Sequence, residues 1–207
     1  MTRIAFHLAP ALMLAYGVVR LIDGRDGEHG PGPAWTVGHL IFLGSLLLYG
    51  GVIAGLYRRL RATPGGTAHR IAAGVLTAAA AFGLATFIRV AIVDIVVGLR
   101  AADNAEKSVL ADRYADVPAV LPQAIYEIGP AFFMLGLVAL LVQFAATTPG
   151  RTAAVVWSPA LIVLAFIAIM LNLDLLPAGA ALIWLALLPL TREQNHLPTP
   201  QTQAAAR

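Results

Sequence analysis

Cysteine is absent from the 207 residues, which removes disulfides, thiolate metal sites, iron–sulfur clusters and cysteine nucleophiles from consideration. Charge is almost as scarce. Only 12% of the residues are Asp, Glu, Lys or Arg, against about 25% in an ordinary soluble domain. Catalytic signatures are missing too: there is no Walker A loop, no HExxH, no GxSxG and no DDxxD-type acidic pair. No arginine ladder marks a voltage sensor, and the two halves show no inverted repeat.

What is present is apolar, with 59% hydrophobic residues. A soluble core cannot absorb that much apolar surface, because its outside must stay wettable. Runs of about 18 or more apolar residues are read as membrane spans. The pattern predicts an all-α, polytopic integral membrane helical bundle of about six transmembrane helices, at residues 4–22, 35–57, 71–94, 122–146, 153–171 and 175–190. These form a single bundle over 1–190, followed by a disordered cytoplasmic tail over 191–207. The first span is too long for a signal-peptide core and ends without a small-x-small cleavage pattern, so it is read as retained.

Glycines and prolines between Asp23 and Pro33 mark a loop, and Pro64-Gly65-Gly66 makes a turn after the second span. The one sizeable polar connection, 100–121, has room for a short surface helix. Pro122 suits the first turn of the fourth span. Pro130, Pro159 and Pro177 lie inside or at the edges of spans, where a lost donor can kink a helix and open a cavity.

Charge placement sets the orientation. Arg3, Arg58, Arg59, Arg61, Arg70, Arg151, Arg192 and Arg207 fall on one side, and Glu193 is their sole acid. Asp23, Asp26, Glu28, Asp103, Glu106, Asp112, Asp116 and Asp174 fall on the other, with Arg25, Arg100, Lys107 and Arg113. By the positive-inside rule both termini are cytoplasmic, in a plasma membrane such as a bacterial inner membrane. The formal charge of +3 is therefore a topology signal and not a nucleic-acid signal; the expected partner is the lipid bilayer.

An ionisable group inside a span costs about 2.5–3.5 kcal/mol at the helix centre, so each needs a reason. Arg20, His39, Arg89 and Glu127 each lie on a different span toward the acidic side. Arg89 and Glu127 are both about 7 Å below the boundary at about 1.5 Å per residue. Arg89 and Asp94 are about 140° apart on their helix, so Arg89 is expected to pair with Glu127 instead. Tyr16 and Asp23 flank Arg20 on nearly one face, and Tyr126 adds a hydroxyl beside Glu127. The bland reading is a structural layer of snorkelling and clamping charges. The functional reading is an outward-opening polar pocket over an apolar floor. In it Glu127, His39 and Asp94 would handle protons, while Arg89, Arg20, Tyr126 and Tyr16 would hold the substrate.

His7 faces no obvious partner, and His7 and His39 lie near opposite membrane faces, which argues against a shared haem. His29 and His69 are read as solvated loop residues. Asp23, Asp26 and Glu28 offer oxygen ligands but lack EF-hand order, so a hydrated acidic loop is preferred and no metal or cofactor is expected. Gly51 and Gly55 form a GxxxG, read first as packing within the monomer and second as the face of a homo-oligomer.

Three functions follow. The first is a membrane-embedded enzyme using acid–base chemistry on a hydrophobic, lipid or isoprenoid-like molecule. The second is a small oligomeric transporter, export or immunity component, and the third a non-catalytic accessory subunit. The enzyme is placed first because the polar residues share one level and form no path across the membrane.

Overall fold

The computed structural model describes residues 2–116, 123–148 and 152–192. Every regular element among them is helical. In order they are α1 (Thr2–Asp23), a 3-10 turn (Gly24–Asp26), α2 (Pro33–Ala62), α3 (Thr67–Arg100), α4 (Asn104–Asp116), α5 (Gln123–Thr147), α6 (Ala153–Leu171), a second 3-10 turn (Leu173–Leu175) and α7 (Leu176–Arg192). All but α4 supply a segment long and apolar enough to cross a membrane, six in total. The protein is an all-helical, multi-pass membrane bundle.

The expected spans are present but the helices overrun them. Pro33 occupies the first turn of α2, and the helix continues past residue 57 through Arg58, Arg59 and Arg61. Helix α3 reaches Arg100 because no proline follows the Pro64 turn before it, making it 34 residues long. Thr191 and Arg192 belong to α7 and not to a tail; residues 193–207 and Pro122 lie outside the described residues. Within the 100–121 connection, α4 starts at a reciprocal cap. Asp103 accepts the Glu106 N–H at 2.9 Å, and the Glu106 carboxylate accepts the Ala102 N–H at 2.8 Å.

The six spanning helices form a closed ring. Each packs on its neighbours in the order α1, α2, α3, α5, α6, α7 and back to α1, while α2 also meets α5 across the middle. Toward the end that carries Arg58, Arg59 and Arg61 the interior is filled by Phe6, Leu46, Leu56, Leu60, Leu137 and Leu140, all fully buried. Interhelical hydrogen bonds supplement this packing, which lacks a hydrophobic drive in lipid. Ser45 donates to the Ala9 carbonyl at 2.7 Å and Ser158 to the Ala186 carbonyl at 2.7 Å. Arg59 donates to the Leu190 carbonyl in the last turn of α7 at 2.7 Å, complementing that helix end.

Two histidines differ from expectation. His69 sits in the first turn of α3, bonded to the Leu60 carbonyl at 2.9 Å, with Gln143 3.2 Å from its other nitrogen. His7 accepts the Trp184 indole N–H at 3.4 Å. In both cases the partner is distant in sequence, so spacing alone gave no signal. Gly51 packs on Ala5 of α1 and Gly55 is buried in α2, which is the intramonomer use of the GxxxG.

Candidate functional site

At the opposite end from Arg59, three polar side chains from three helices converge. Tyr16 of α1 and Asp94 of α3 both face His39 of α2, with the Tyr16 hydroxyl 3.4 Å and the Asp94 carboxylate 3.7 Å from Nε2. His39 is 5% exposed. Its Nδ1 lies 2.8 Å from the Trp35 carbonyl four residues earlier. A carbonyl can only accept, so this contact assigns the proton to Nδ1 and leaves the Nε2 lone pair toward Tyr16 in the neutral ring.

Trp35 builds the frame. Its ring lies 4.2 Å from that of His39, and its indole N–H donates to the Asp94 carbonyl at 2.9 Å. The indole crosses α3 at Gly98, where an added Cβ would meet Nε1 at 2.5 Å. Glycine is needed at 98 for this close approach and not for its backbone freedom. From α4, the Lys107 ammonium stands 4.7 Å over the Trp35 ring and donates to the His29 carbonyl. Asn104 bonds Glu28 at 2.6 Å. Helix α4 is thereby tied across the mouth of the site.

Two cavities meet at Tyr16. One is a small cleft lined by Tyr16, Arg20, Asp23, Trp35 and His39 among others. The other, about 190 Å³, lies at the centre of the ring and is walled by all six spanning helices. Its head is Tyr16 and Asp94; its sides include Met13, Phe42, Phe87, Phe133, Met134 and Phe166. Phe42 stacks on Tyr16 at 4.7 Å, Phe87 meets Phe42 at 5.3 Å, and Phe133 meets Tyr49 at 5.4 Å. These rings fix an apolar wall. An apolar cavity of about 150 Å³ is enough to take up a benzene-sized hydrocarbon.

The expected site residues divide into two groups. Tyr16, His39, Asp94 and Arg20 come together. Arg89, Tyr126 and Glu127 line neither cavity. The Arg89–Glu127 pair does not form: Arg89 lies over the Tyr126 ring at 3.9 Å and reaches the Tyr114 carbonyl at 3.5 Å. Arg100 bonds the Tyr114 hydroxyl at 3.0 Å, so these arginines hold α4 against α3 and α5. Glu127 is exposed on α5. Residues five positions from a boundary share a depth, but the helix azimuth decides which way they point, and Arg89 and Glu127 point apart. Sequence reasoning missed Trp35, Lys107 and the aromatic wall. The Trp35-x-x-x-His39 spacing, one helical turn, is the signal that could have found the first.

In the acidic loop, Asp23 lies 3.8 Å from His29 and Glu28 accepts from Asn104. Among the described residues no three His, Asp or Glu side chains gather as metal ligands. No family model, curated protein or solved structure matches the chain.

Proposed function

We propose that this protein is a membrane-embedded enzyme that moves a proton on a lipid-like or isoprenoid-like substrate. The observation that carries the reading is that Tyr16 and Asp94, at the head of an apolar cavity shared by all six spanning helices, both meet the His39 imidazole in the adjoining cleft. His39 acts as the base through Nε2, held in that tautomer by the Trp35 carbonyl. Tyr16 is its acid partner, and Asp94 stabilises the imidazolium that forms when His39 takes a proton. Arg20, in the adjoining cleft, supplies a cation for an anionic group on the substrate head. The apolar wall takes the hydrocarbon.

Transport gains nothing from the packing on the Arg59 side of the cavity, where the ring interior is filled with apolar side chains. A polar solute would want a continuous polar lining.

Met134→Trp is designed to fill the cavity without touching the polar head. Mass spectrometry of hydrophobic molecules carried through purification should find a specific species on the wild type that is lost from Met134→Trp. If both carry only bulk phospholipid, the substrate cavity is refuted.

The same proposal places the Arg59 end in the cytoplasm, on the charge asymmetry, in a plasma membrane. A single cysteine at Ser108, in a chain with none of its own, should be labelled by an impermeant maleimide added to intact cells. Labelling only after lysis would reverse the orientation.

A further inference from the structure

The enzyme reading leaves the opposite end of the bundle unused, and that end carries a second feature. Between α1 and α7 runs an open groove of about 550 Å³, lined by Arg3, Ile4, His7, Leu8, Ala11 and Trp184. Its floor is apolar: Ile4 is 61% and Leu8 41% exposed. Arg3 and His7 are one helical turn apart, on one face of α1 at the groove's mouth.

The His7–Trp184 contact fixes what the groove presents. An indole nitrogen can only donate, so Nδ1 of His7, 3.4 Å away, is the acceptor. The imidazole proton is then on Nε2, and His7 offers an N–H donor next to the Arg3 cation. The described charged residues near this end are basic. Arg58, Arg59, Arg61 and Arg70 lie at this end of the bundle, whereas every acidic residue among the described ones lies toward the His39 end. An apolar trough capped by a cation and an N–H donor, at the depth of a helix terminus, matches one ligand chemistry: a negatively charged headgroup with an acyl chain attached.

We infer that the α1–α7 groove is a binding site for an anionic phospholipid. The phosphate rests on Arg3 and His7, and an acyl chain runs along Ile4, Leu8 and Ala11 beside Trp184. The site is independent of the cavity at the His39 end, and neither needs the other to be correct.

The full chain, purified in a maltoside detergent and incubated with equimolar phosphatidylglycerol and phosphatidylcholine, is repurified and its bound lipid quantified by mass spectrometry. The wild type should retain phosphatidylglycerol over phosphatidylcholine by about fivefold, the factor expected for one cation near a headgroup. Arg3→Gln should bring the ratio close to parity. Ala11→Trp, which fills the trough, should lower the total of both lipids retained. Parity in the wild type, or an enrichment that survives both substitutions, would overturn the site. So would a stable dimer in which Trp184 is shielded from a soluble quencher, because a second copy would then occupy the groove. If a variant fails to fold, the wild-type ratio decides alone.

Discussion

Gly83→Val should leave little folded protein. A Cβ at Gly83 would fall on the Phe133 backbone nitrogen and lie 2.5 Å from the Gly129 carbonyl, both main-chain atoms that cannot swing aside. One turn further along α5, a Cβ at Gly136 would come within 2.7 Å of Ala80. The α3–α5 seam is therefore closed by glycines facing backbone, the arrangement that lets helices approach in lipid. Overpacking costs about 1–3 kcal/mol for added methylenes and more when the backbone itself is in the way. Removing glycine from a helix interior returns about 1 kcal/mol at most, so the steric term wins and even Gly83→Ala should destabilise. Gly74, on the same helix, has open space around its missing side chain. Gly74→Ala should leave the thermal midpoint in detergent unchanged or slightly raised. Equal midpoints for Gly83→Ala and Gly74→Ala would mean that α3 and α5 do not pack this closely.

The second large effect separates His39 from Glu127. Both were candidates for the proton-handling role, yet only His39 faces the cavity head, while Glu127 is exposed on α5. A positioned general base is worth about 10²–10⁴-fold in rate. His39→Gln should cost that much, while Glu127→Gln should cost less than about twofold, within the scatter of surface substitutions. The readout is the lipid extract of cells producing each form, compared by mass spectrometry. A species whose level changes with wild type and with Glu127→Gln, but not with His39→Gln, is the expected pattern. The reverse pattern would move the chemistry to α5 and sink the present assignment. Glutamine can still donate to the Trp35 carbonyl, so the frame around position 39 is preserved in the test.

Those two residues also show what the sequence could and could not convey. Depth was legible: Arg20, His39 and Asp94 lie at one end of the bundle because distance from a span boundary is a count of residues times a rise. Span existence was legible for the same reason, since apolar runs have no other solution in a chain so poor in charge. Azimuth was not. Arg89 and Glu127 share a level with the site yet lie outside it, because which face of a helix turns inward is set by neighbours whose order around the ring no local pattern encodes. The ring order is what brings His7 to Trp184 and His69 to Gln143, pairs far apart in the chain. Helix ends were also underread at α2 and α3. Arginines after Tyr57 read as a stop for the membrane, but charge does not stop a helix, and α2 continues to Ala62.

The closure of the ring by α1 against α7 has a consequence for how the protein is made. Helix α1 finds one of its two ring neighbours only when α7, five spans later in this sequence, is complete. Until then the flank of α1 carrying His7 and Gly17 is open to lipid, and the central chamber lacks its wall at Leu176. Nascent chains halted before α7 would hold Tyr16, His39 and Asp94 but no enclosed space for them to serve. Assembly of the chamber is thus a post-insertion event that waits for long-range pairing, the slowest kind of contact to form.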